Sequence, residues 1–146
     1  VRGGLKRLLT DRKLQKIKVD RSLVTKEIKG AEQDLASARY SIGAGDPKWA
    51  TIQAYYSMFH AARALLYSKG YREKSHRALF AALKELTDDI GEITSDLLQT
   101  FGEAMDLREE ADYGLEFSEE NALGLIDDAD TFLNAITTVL GVRRRS

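Results

Sequence analysis

The stretch "LREEADYG", Leu107 to Gly114, places an arginine inside what the surrounding spacing makes the apolar stripe of a helix. At about 100° per residue, Leu97, Phe101, Ala104, Arg108 and Leu115 fall on one face, and Asp112 lies one turn beyond Arg108. A guanidinium stranded there would cost several kcal/mol, so it needs a partner. Two partners fit. An Arg108–Asp112 ion pair would fix the register of the helices or of two copies, whereas a phosphate in a cleft would meet the rigid donor fork of the guanidinium. Tyr113 follows, either packing the helix end or donating a hydrogen bond to the same ligand.

A second constellation lies in "KGYREKSHRALF". Ser75 has the character of an N-cap, and Arg72, Lys74, His76 and Arg77 gather around the helix start that it would open. Cations beside a helix N-terminus suit a nucleotide or RNA phosphate, and a solvated turn accounts for them equally well. His60, near Tyr56 and Ser57, suits a hydrogen bond in a core or an interface. Two histidines without paired-ligand spacing, and no cysteine, give no metal motif. No Gly-rich phosphate loop and no Ser, His, Asp arrangement is present, and no cofactor is expected.

These residues need a scaffold, and 146 residues suit one domain with one core. No apolar run nears the roughly 20 residues of a membrane span, and the basic start has no apolar segment behind it, so neither a span nor a signal peptide is expected. The expected compartment is the cytoplasm. Net charge is only -1, but residues 1–29 hold ten Lys or Arg against three Asp or Glu, while residues 88–130 hold fifteen acidic groups and one basic residue, Arg108. Such asymmetry fits either a polyanion-binding end or complementary solvated faces.

Periodicity predicts helices throughout and no strands. Val24, Ile28, Ala31, Leu35, Ala38 and Ile42 mark the first helix, and Asp46 with Pro47 opens a second that runs to Gly70. Leu79 to Leu86 mark a third, Leu97 to Leu115 a fourth, and Ser118 opens a fifth that Gly141 stops. The second helix is apolar around most of its circumference, as expected at a bundle centre, and its stripe of small residues would admit another backbone within the bundle or across a dimer. The expected fold is all-α, an up-and-down antiparallel bundle of about five helices. Residues 1–20 are expected to be a basic N-terminal arm, either a short amphipathic one through Leu5, Leu8, Leu9, Leu14 and Ile17 or an extension that orders only on a partner, with 21–141 the bundle and 142–146 a basic tail.

"AYYSMFHAARALLYSKGYREKSH", then "LREEADYG", then a last helix opened by "SEENA", resembles the HEPN superfamily in order, over roughly residues 20–140. The similarity is to its small prokaryotic members. It implies a dimerising helical bundle, encoded beside a minimal nucleotidyltransferase and working with it in a toxin–antitoxin or defence module. It also implies a motif R-x-x-x-x-H for metal-independent RNA cleavage. Arg108 matches the arginine, Tyr113 stands at the histidine position, and Leu115 stands where related chains carry a further tyrosine. Histidine titrates near 6.5 and can both take and give the proton, whereas tyrosine titrates near 10 and is a poor base at neutral pH. Three functions are therefore expected: a nucleotidyltransferase partner with an RNA or nucleotide phosphate site around Arg108; an endoribonuclease using Arg108, Asp112 and Tyr113; or a non-catalytic nucleotide- or RNA-binding module using Arg72, Lys74, His76 and Arg77.

Overall fold

The structure, a computed structural model, describes residues 3–111 and 117–144. Over these the chain forms α1 (Gly3–Thr10), β1 (Leu14–Lys16), α2 (Arg21–Gly43), α3 (Pro47–Ser68), β2 (Tyr71–Glu73), α4 (His76–Thr87), α5 (Ser95–Ala111) and α6 (Glu119–Leu140). The expected helical bundle is present, with α1 in addition. The expectation of no strands is corrected: β1 and β2 pair antiparallel, with Leu14 opposite Glu73, Gln15 opposite Arg72 and Lys16 opposite Tyr71. Three residues are too few to display a two-residue alternation, so the sequence pattern could not announce them.

Local chemistry sets the helix starts. The Asp20 carboxylate accepts from Ser22 N (2.9 Å) at α2, and that of Asp46 accepts from Trp49 N (3.1 Å) at α3. Ser75 opens α4 and Ser118 opens α6 by the same device. Gly141, left-handed at φ 68°, ends α6.

α3 is the central helix, contacting α2, α4, α5, α6 and β2. Its small residues serve close packing within the chain. Ser57 Oγ donates to the Ala31 carbonyl of α2 (2.8 Å), and a Cβ on Gly30 would stand 3.4 Å from the His60 ring. The opposite side of α3 packs its large residues. Tyr55, Met58, Leu65 and Leu66 are fully buried with Leu79 and Leu83 of α4, Phe101 and Met105 of α5, and Phe132, Leu133 and Ile136 of α6. Burying each such side chain contributes about 1.5–3 kcal/mol, and Phe101 stacks on Phe132 at 5.4 Å.

The basic N-terminal segment is docked rather than free. Leu5 and Leu14 are buried, α1 lies on α4, and β1 completes the ribbon with β2. Gly70 makes this possible: at φ 83° it turns the chain out of α3, its carbonyl accepts from Ile17 N (2.9 Å), and a Cβ there would sit 3.3 Å from the Ile17 carbonyl oxygen. At the other end Arg144 folds back onto Asp130 of α6 (2.9 Å). Among the described residues no helix is long and apolar enough to cross a membrane.

Candidate phosphate site where α3, α4 and α5 meet

The run Tyr55, Tyr56 and Phe59 gives α3 an aromatic wall, and two polar groups are brought against it. The N-cap bond from Ala78 N to Ser75 Oγ (3.0 Å) fixes His76 as the first residue of α4. Its ring stacks on Phe59 with centroids 4.4 Å apart, and its Nδ1 lies 2.6 Å from the Tyr55 hydroxyl. Phe101 and Ala104 are fully buried and hold α5 in place, so that Arg108, one turn on, emerges half-buried with its Cζ 5.7 Å from the Tyr56 ring centroid. Tyr56 also meets His76 edge-on at 6.2 Å, so one ring adjoins both polar groups.

Electrostatics follow from this packing. Burial pushes the Tyr55 phenol well above its ordinary value, with Tyr56 adding to the shift and Arg108 opposing it. Burial pulls the His76 imidazole below its ordinary value, reinforced by the Arg108 and Arg63 cations and opposed by Glu109. At neutral pH the pair is therefore a protonated phenol and an uncharged imidazole. Arg77, the next residue of α4, reaches back over α5 to Asp106 Oδ1 (2.9 Å) and Glu109 Oε2 (3.2 Å) on the exposed surface. That pairing offsets part of the acidic block beside Arg108.

A second polar cluster anchors the site from behind. Arg63 of α3 meets Glu27 Oε1 of α2 (3.0 Å) and Glu73 Oε2 of β2 (3.0 Å), donates to the Tyr67 hydroxyl, and lies over the Phe59 ring at 5.3 Å. Glu27 also takes His60 Nδ1 (2.8 Å), and Asp34 lies 3.4 Å from His60 Nε2. Burial raises the Glu73 carboxyl above its ordinary value, opposed in part by a backbone hydrogen bond and the Arg63 cation. Only Lys74 and Ser75 separate Glu73 from His76, so the Arg63 cluster helps position the start of α4 that the Ser75 cap defines.

The HEPN domain profile matches residues 24–139 of this chain. The chain belongs to the HEPN domain family. It is 32% identical over 119 residues to a UPF0332 protein of Archaeoglobus fulgidus, covering 80% of this chain and 94% of that one. It is 28% identical over 124 residues to a Methanocaldococcus jannaschii protein named "Putative toxin MJ0142", covering 84% of each. The fold is shared with the crystal structure of TT1696 from Thermus thermophilus, at a TM-score of 0.69 and 19% identity over 79% of this chain and 96% of that one.

Within this HEPN domain the sequence-predicted residues divide into groups. Arg108, His76 and Arg77 are brought to one end of α5, although sequence spacing alone groups His76 with the turn cations. Arg72 and Lys74 are exposed on the β ribbon, where Lys74 Nζ donates to Gln15 Oε1 (2.9 Å). Asp112 and Tyr113, and with them the Arg108–Asp112 pair, lie outside the described residues. Tyr55, Phe59, Arg63, Glu27 and Glu73 were not singled out from sequence. The spacing of Phe59, Arg63 and Tyr67 at successive four-residue steps was the one available signal. Among the described residues no cluster of three or more potential metal ligands occurs.

Proposed function

We propose that this HEPN-domain chain is the toxin-like partner of a minimal nucleotidyltransferase, acting as a cytoplasmic homodimer in a toxin–antitoxin or defence module and engaging RNA phosphates at Arg108. The observation that carries this reading is a half-buried guanidinium lying over Tyr56, whose ring also meets His76 edge-on, at the edge of an aromatic wall. A rigid cationic fork next to the half-buried Tyr56 ring fits a phosphate with a base attached better than a bare anion. Family membership and relatives whose names contain the word toxin support the biological role. Expression with and without a minimal nucleotidyltransferase of the proposed kind tests the reading. Growth arrest alone, relief and co-purification with the partner, and loss of arrest in Arg108→Ala are expected; no arrest and no complex would overturn it.

The endoribonuclease reading assigns Arg108 to the developing phosphorane charge, with Asp112 and Tyr113 assisting. Tyr56, the half-buried ring of the aromatic wall, favours it as a place for a base to stack. RNA digestion in the presence of a chelator decides between cleavage and binding, since Arg108→Ala removes cleavage only if the chemistry occurs there.

A further inference from the structure

Tyr55 is fully buried, and a buried hydroxyl proton needs an acceptor. The one its position supplies among the described residues is His76 Nδ1, 2.6 Å away. Because burial keeps the phenol protonated, the hydroxyl donates and the Nδ1 lone pair accepts. The reverse arrangement, Nδ1–H donating to the phenol oxygen, would leave the buried O–H without a described acceptor. A neutral imidazole whose Nδ1 accepts carries its proton on Nε2, so the network sets the tautomer. No described residue takes that Nε2–H. Burial chiefly keeps the ring neutral, and among the groups around it Arg108 of α5 and Arg63 of α3 oppose a charge, Glu109 of α5 favours one, and Arg77 of α4 is engaged with Asp106 and Glu109.

We propose that His76 is an uncharged hydrogen-bond donor, offering Nε2–H together with the Arg108 guanidinium to a phosphate oxyanion, with Tyr55 as the positioning residue that fixes this tautomer. This rests on reading the site as a phosphate site and gives that reading its ligand chemistry. It also removes His76 from the role of general base, because neither ring nitrogen retains a free lone pair at neutral pH. The phosphate has two possible sources, a mononucleotide or an RNA chain.

The chain has two histidines, so long-range proton–nitrogen NMR on the full protein resolves His76 from His60. At pH 7, His76 should show the Nε2–H pattern, and Tyr55→Phe should convert it to a tautomer mixture while the fold persists by circular dichroism. Inorganic phosphate, a 5′-mononucleotide and a short single-stranded RNA are then titrated in separate arms. A shift at Nε2 in any arm supports the proposal, and the arm with the tightest response names the source. His76→Ala should weaken that binding roughly tenfold or more, while His76→Gln, which keeps an uncharged N–H donor, should retain most of it. An Nδ1–H pattern, silence in every arm, or equal loss in the Gln and Ala variants would overturn the proposal. Arg108-dependent RNA binding alongside an Nδ1–H pattern would refute the donor role and leave the phosphate-site reading standing.

Discussion

Replacing Arg63 by Ala would remove the cation on which α2, α3 and β2 converge. The side chains of Glu27 and Glu73 are 12% and 8% exposed, and that of Arg63 is 20% exposed. Deleting one partner of a fully buried pair costs about 3–5 kcal/mol, chiefly because the remaining charge is left desolvated. The residual exposure of Arg63, and the His60 contact that Glu27 retains, reduce the expected loss to about 2–4 kcal/mol. For a chain of this size that corresponds to a fall in Tm of about 5–15 °C. Differential scanning calorimetry measures it. The variant Arg63→Met with Glu73→Leu should recover much of the loss, since it buries no unpaired charge at β2 and Glu27 keeps His60. If Arg63→Ala melts within about 1 °C of the wild type, or the double variant is no better than the single, the assignment of Arg63 as the anchor of β2 is wrong.

The Glu73 carboxyl is raised in the folded protein by burial, so its contribution to stability is fully present below the unfolded carboxylate pKa and is lost as pH rises through the folded one. Tm measured upward from about pH 4 should therefore decline more steeply in the wild type than in Glu73→Gln; parallel profiles would contradict this. Ser75→Ala, which removes the α4 cap, should cost about 1 kcal/mol in a denaturant melt and also disturb the His76 ring signals, whereas a melt with no loss would deny the cap its role. If RNA follows the ribbon cations to the site, neutralising Arg72, Lys74 and exposed Lys13, whose carbonyl accepts from Lys74 N (3.0 Å) beside the ribbon, should together flatten the plot of log affinity against log salt by up to about 2, at roughly 0.7 for each phosphate no longer neutralised. An unchanged slope would place the RNA elsewhere.

The helices were legible because long apolar periodicities and Asp, Ser and Gly signals at their ends point the same way. Val24 to Ala38 and Ala122 to Ile136 are buried at the spacing that predicted them. The ribbon was not legible. Its stability comes from Leu14 being buried and from Gly70 turning the chain, and a three-residue strand leaves no pattern of its own. Arg108 stood out because a charge on an apolar stripe is a local anomaly. Its neighbour His76 could only be read as part of a basic turn, because the Tyr55 hydroxyl that captures it is 21 residues earlier in the chain. The Arg63 cluster was hidden for the same reason, since Glu27 and Glu73 reach it from different elements.

Affinity for single-stranded RNA in Arg108→Ala, set beside the wild type at fixed low salt and with matched thermal melts, bears most directly on the function. A phosphate held by the half-buried guanidinium predicts a loss of roughly ten- to a hundredfold with the fold intact. Unchanged affinity in a folded Arg108→Ala protein would contradict a phosphate site at the meeting of α3, α4 and α5.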